Sequence, residues 1–163
     1  MHGGFHRWGR GRSQELWVIV NHFKSKGEDT IEFQYTLPRR IEQATFVAGL
    51  AEEILAADPG ADLLVLGDLN DFLDSEPLAV LTGAGLSDLL LEVPKPKRYT
   101  YVYHGVSEVL DHVLISPDLW WEFVTVVPAH INADYPVAYE DIPDTARRSS
   151  DHDPVVVRLR LGR

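Results

Sequence analysis

Six side chains able to do acid–base or ligand chemistry stand at the ends of apolar runs: His22, Asp68, Asn70, Asp111, Asp151 and His152. Asp68 and Asn70 follow Leu-Leu-Val-Leu-Gly at 63–67, so an anionic oxygen and a neutral amide leave one strand end together. A buried carboxylate is costly unless it is paired or holds a cation. Loops of this composition also serve as plain polar turns, in which Asp and Asn cap backbone groups. An EF-hand loop is excluded, because Phe72 and Leu73 stand where an oxygen ligand and a glycine are required. His22 nearly closes a second apolar run. Core histidines are common, but Lys24 and Lys26 follow this one and turn the reading toward an anion site. Asp111 lies with His112 inside a third run, where a carboxylate needs a partner and histidine is the usual one. Ser150, Asp151 and His152 are contiguous and cannot face one another as a hydrolase triad, and no Gly-x-Ser-x-Gly is present. His-Glu-x-x-His and Walker loops are absent too. What remains is a set of carboxylates and imidazoles, an oxygen-rich group that suits Mg²⁺, Mn²⁺ or Ca²⁺.

Strands must bring these residues together. Residues 16–23 and 63–67 read as strands buried on both faces, with ligands expected beyond their carboxyl ends. Between them, residues 36–58 read as a helix: Ile41, Ala44, Ala48, Ala51 and Leu55 recur at helical spacing. Thr36 offers a cap, Pro38 suits the first turn, and Asp58-Pro59-Gly60 stops it. Together these segments predict a β-α-β unit. Arg39 and Arg40 sit at the positive end of the helix, where they pair with a carboxylate or face a phosphate. Residues 99–103 and 108–116 read as the two strands of one hairpin. Two further strands are expected at 123–127 and 155–161. The polar stretch 133–150 is long enough to be a functional loop. Residues 1–15 show no period, supply no strand and read as a flexible basic terminus, leaving 16–163 as one domain.

Composition narrows the classes. The 163 residues are 45% hydrophobic and 25% charged, an ordinary globular balance with room for a real core. No apolar run is long enough to span a membrane, so no membrane partner is expected. The absence of cysteine excludes disulfides and thiolate zinc sites. A formal net charge of −10 repels polyanions, so a phosphate substrate requires a local basic group or a bridging cation.

Order along the chain makes the separate signals specific. Val-Asn-His-Phe-Lys-Ser-Lys (20–26), Gly-Asp-Leu-Asn-Asp (67–71), Leu-Asp-His-Val-Leu-Ile-Ser (110–116) and Ser-Asp-His-Asp-Pro (150–154) succeed one another. In that order they resemble the endonuclease/exonuclease/phosphatase superfamily of pancreatic deoxyribonuclease and the abasic-site endonucleases. Intervening segments, such as Arg-Tyr-Thr-Tyr-Val-Tyr-His-Gly (98–105) and His-Ile-Asn-Ala-Asp-Tyr (130–135), look most like secreted bacterial nucleases.

The resemblance runs from about residue 16 onward. It implies an α/β (α+β) fold, part of a four-layer αββα sandwich, and hydrolysis of phosphodiesters or phosphomonoesters with a divalent cation, Mg²⁺ first. It assigns Asp151 to the metal, together with Asp68, which also positions or deprotonates the attacking water. His152 is placed beside the scissile phosphate with Asp111 orienting it, Asn70 at phosphate and water, and His22 as a second histidine. Lys24 and Arg40 are the candidate phosphate contacts besides Asn70. The expected substrate is DNA or RNA, with phosphatase or phospholipid phosphodiesterase chemistry as the alternative. The family's domain begins earlier, with a Glu ligand in its front part. The chain therefore reads as the C-terminal portion, which implies a missing N-terminal half, or an inactive fragment that needs one. The relatives suggest export, no signal peptide is present, and oligomeric state is left open.

Overall fold

The computed structural model describes residues 2–7, 14–30 and 32–161. Five strands build the main sheet, in the order β1-β2-β3-β7-β4. They are β1 (His2–Arg7), β2 (Gln14–His22), β3 (Asp62–Asp68), β4 (Ser87–Asp88) and β7 (Asp111–Ile115). β2 and β3 are parallel and are joined by the crossover helix α1 (Leu37–Ala57), the β-α-β unit that the apolar pattern predicts. β1 pairs antiparallel with β2, and β7 lies antiparallel between β3 and β4.

Alternation along β3 sends side chains to two cores. Leu63 and Val65 pack with Ala44, Val47, Ala48 and Ala51 of α1 and with Leu78 and Leu81 of the second helix, α2 (Glu76–Gly83). Leu64 instead joins Val113, Ile115, Leu89 and Val126 on the opposite face. There a second sheet, β8 (Phe123–Pro128) with β9 (Val155–Leu159), lays Val155, Val157 and Leu159 against the cluster. The layers are therefore helix, sheet, sheet, and the mixed α/β class is as expected; a further helical layer is not found among the described residues. A small hairpin, β5 (Tyr101–Tyr103) with β6 (Val106–Glu108), stands apart from both. No helix of the described residues is long and apolar enough to cross a membrane.

Three expectations differ. His2–Arg7, expected without a strand, form β1, whose ladder spares the β2 edge from solvent over Gln14–Ile19; residues 1 and 8–13 lie outside the described residues. The run 108–116 is not one strand. It divides between β6 and β7, and so between two sheets, because Leu110 turns the chain and carries Asp111 onto β3. Thr36 stands at the N-terminus of α1 without capping it, since its hydroxyl donates to Asp29 instead (2.8 Å).

Gly67 is needed where β2 and β3 meet. Its φ of +131° belongs to glycine, and a Cβ there would lie 2.0 Å from the Asn21 carbonyl oxygen. Gly67→Ala is expected to lower unfolding stability by about 2–5 kcal/mol, from strain and overpacking together, as read by urea denaturation. A wild-type midpoint would refute this.

Candidate active site

Strand direction decides which residues meet. Because β2 and β3 are parallel, their carboxyl ends emerge at one edge, and the register sets His22 opposite Asp68. β7 begins at that edge, so Asp111 falls opposite Asp68 on the other side. Three adjacent strands thus present His22, Asp68 and Asp111 in one row. His152 reaches the row from the turn before β9, through a bridge to Tyr101 of β5.

Their side chains converge. The His152 Nδ1 donates to Asp111 Oδ2 at 2.7 Å, since a carboxylate only accepts, and this turns Nε2 toward Asp68 Oδ2, 4.0 Å away. The same Asp68 oxygen lies 3.5 Å from Nε2 of His22, whose side chain is 76% exposed. Asn70 has φ +51°, a left-handed conformation that Asn tolerates, and wraps around Asp68. Its backbone N–H donates to Oδ1 (2.9 Å) and its amide to Oδ2 (3.1 Å) and to the Phe23 carbonyl (3.1 Å). The Tyr101 ring lies 4.6 Å from the His152 ring, centroid to centroid.

Electrostatics divides the labour. Burial pushes the Asp68 carboxyl above its ordinary value; the Asn70 N–H opposes this and the Asp111 charge adds to it. His152 is raised chiefly by its hydrogen bond to Asp111, against the desolvation that lowers it. The arrangement therefore sets a carboxylate made more basic by burial beside an imidazole made more basic by its carboxylate partner. Asp68, Asp111 and His152 each offer one ligand atom, all within 4.8 Å of one another. Two carboxylate oxygens and an imidazole nitrogen at that spacing fit a divalent cation. Asp151, given to the metal by the family resemblance, is exposed and lies outside this group, although its charge is felt at Tyr101 and His152.

The two basic candidates are engaged elsewhere. Arg40 is 0% exposed and fully occupied: Nε donates to Asp71 (2.7 Å), one terminal nitrogen to Asp29 (3.1 Å), and the other to Thr36 and to the Lys24 carbonyl. It is a core cation, not a phosphate contact, because the buried Asp71 and the largely buried Asp29 carboxylates surround it. The Lys24 ammonium is paired with Glu28. Lys26 sets its ammonium 3.2 Å from the centroid of the Phe72 ring, and burial lowers its pKa.

Several supporting residues escape sequence reasoning. The family resemblance implies the Asp111–His152 pair, but not the role of the adjacent His112. His112 is buried, with Nδ1 at 2.6 Å from Asp88 and Nε2 at 2.9 Å from the Asp71 carbonyl. That pair locks the Asp71 turn to the sheet. Asp153 accepts from the Asn132 and Ala133 N–H groups, and the Asn132 amide donates to the His152 carbonyl (2.7 Å), so the turn bearing His152 is held from both sides. Partners twenty or more positions away leave no periodic trace in the sequence.

Comparison with known proteins places this arrangement. The sequence model of the endonuclease/exonuclease/phosphatase family matches residues 6–152, reaching back into β1 and not only to residue 16. No curated protein matches the chain. A 3′ phosphatase from Neisseria, bound to a product DNA hairpin, has a similar structure (18% identity, TM-score 0.58, 91% of this chain and 63% of that one). So does a 3′–5′ exonuclease from Neisseria meningitidis (20% identity, TM-score 0.57, 88% and 61%). A third is a mannosyl-6-phosphatase from Bacteroides thetaiotaomicron (19% identity, TM-score 0.57, 93% and 52%). At these identities the likeness is one of fold, and the chain spans about 63% of the length of the first of them. With strand ends, histidine–carboxylate pairing and family match in agreement, the chain belongs to the endonuclease/exonuclease/phosphatase family.

Proposed function

We propose that this chain is a divalent-metal-dependent phosphoesterase whose substrate is nucleic acid, DNA in the first place. The observation that carries the reading is the convergence of His22, Asp68, Asp111 and His152 at one sheet edge. A divalent cation held there by the Asp68 and Asp111 carboxylates would offset charge on the phosphate oxygens. Asp68, raised in basicity by burial, takes the proton of the attacking water. Its Oδ2 is steadied for this by the Asn70 amide. His152, kept protonated by Asp111, donates from Nε2 to a phosphate oxygen as charge accumulates on the phosphorus centre. His22 flanks the same carboxylate and is open to solvent, where it can meet a second phosphate oxygen.

A nucleic-acid substrate is favoured by the β5–β6 hairpin, where Tyr101 stacks toward Tyr103 beside His152 and Tyr103 is exposed; such faces suit bases. A phosphomonoesterase acting on small phosphates is the alternative, supported by the sugar phosphatase among the similar structures. Incubation of plasmid DNA, 3′-phosphorylated oligonucleotides and p-nitrophenyl phosphate with Mg²⁺, Mn²⁺ or Ca²⁺ separates them. Cleavage of the DNA substrates is expected, with loss of activity on chelation and recovery on re-addition of the metal. Hydrolysis unaffected by chelator, or none on any phosphoester, would refute the proposal.

A further inference from the structure

The contact that orders this site joins two residues 41 positions apart, Asp111 and His152, and a third residue touches the backbone of both segments. Thr100 is 0% exposed and lies just before β5. Its hydroxyl oxygen accepts two backbone N–H groups, from Leu110 (3.2 Å) and Asp111 (3.1 Å). These are the residues at which the chain leaves β6 and enters β7, so Thr100 serves the N–H groups of that crossing. On the other side, its carbonyl accepts the N–H of Asp153 at 2.7 Å, and its neighbour Tyr101 bridges His152. Its own N–H closes the circuit to the Glu108 carbonyl (2.9 Å).

We infer that Thr100 is a positioning residue, whose buried hydroxyl sets Asp111 in register with His152 and thereby fixes the Nδ1–carboxylate contact. It touches no reacting atom. The hydroxyl oxygen has two acceptor sites, and both are engaged here. Valine, of the same shape, would leave two N–H groups unserved at the start of β7, and the chain would move to find other partners. A displacement of a few tenths of an ångström is enough to spoil a short charged hydrogen bond and the geometry that depends on it. Serine retains the acceptor.

The consequence for rate rests on the phosphoesterase reading; the geometric claim does not. Accordingly the test has two arms. In the first, the downfield Nδ1–H proton resonance of His152 is followed by NMR, assigned by its loss in His152→Ala. The buried His112–Asp88 proton serves as an internal control for an intact fold. Thr100→Val and Thr100→Ala are expected to lose the His152 resonance and keep that of His112, while Thr100→Ser keeps both. In the second arm, the Val variant loses about 10- to 100-fold in kcat on the cleaved substrate, with KM within about twofold of wild type, and Ser restores the rate. A folded Val or Ala variant with an unchanged His152 resonance overturns the inference, as does loss of the resonance in Thr100→Ser. Failure of both Val and Ala to fold while Ser folds also overturns it, in favour of a role in folding alone. A wild-type protein that cleaves no phosphoester sinks the proposed function, yet the resonances still decide the role of Thr100.

Discussion

His152→Ala is expected to lower the metal-dependent hydrolysis rate by about 10²- to 10⁴-fold, the range for removal of a positioned acid–base group. His152 does two things at once. It carries a proton that Asp111 holds in place at 2.7 Å, and it aims Nε2 at Asp68, which in the proposed mechanism faces the substrate. Alanine removes both, and water cannot replace an oriented imidazole. Asp111→Asn leaves the shape but presents an amide where the imidazole needs an acceptor charge, so most of the same loss is expected. The double variant is then little worse than His152→Ala, because the two act as one unit. Steady-state kinetics on the cleaved substrate decide the matter: additive losses would show that Asp111 acts independently of the histidine, and an unchanged rate in His152→Ala would remove it from the chemistry.

Arg40→Ala should cost about 3–5 kcal/mol of unfolding free energy, a large share of what holds a domain of this size together. The guanidinium is fully buried, and its loss strands the Asp29 and Asp71 carboxylates that it now neutralises. Asp29 reports the strength of the network: burial alone would raise its pKa, but hydrogen bonds from Thr36 and Arg40 hold it below the ordinary value. For a depressed carboxyl the stabilisation is present above its unfolded pKa and is lost as pH falls through the folded one. Arg40→Lys is expected to restore only part of the loss, because an ammonium cannot reproduce the planar fork. Urea denaturation measures the difference. A KM defect in a variant of wild-type stability would return Arg40 to the phosphate.

Much of this could be read from the chain because the relevant patterns are local. Residues 16–23 and 63–67 are apolar enough to be central strands, and the helix between them shows its buried stripe in Ala44, Val47, Ala48 and Ala51. The parallel pairing that sets His22 beside Asp68 follows from that β-α-β unit. Long-range polar pairing was not legible in the same way. Local pattern does not show that Asp111 passes over His112 for His152; the family resemblance supplies that pair, and the alternation along β7, which turns successive side chains to opposite faces of the sheet, explains it. Nor does the sequence of α1 reveal that Arg40 faces inward, because a cation among apolar neighbours becomes intelligible only once Asp29 and Asp71 are seen around it. The division of 108–116 was hidden for a related reason: both halves have strand composition, and only the Thr100 contacts show where the chain changes sheet.

The wide separation of the converging residues has a consequence for the growing polypeptide. A ribosome delivers β2, α1 and β3 ahead of Asp111 and His152, and local contacts among them can form at once. The Ser-Asp-His-Asp-Pro turn is made only after Asp111, and the loop of 41 positions that it must close back onto that residue is long. Until then Asp68 and Asp111 remain without the imidazole that completes them. On the proposed chemistry, a nascent chain tethered beside ribosomal RNA stays silent until His152 has been added and has folded back onto Asp111.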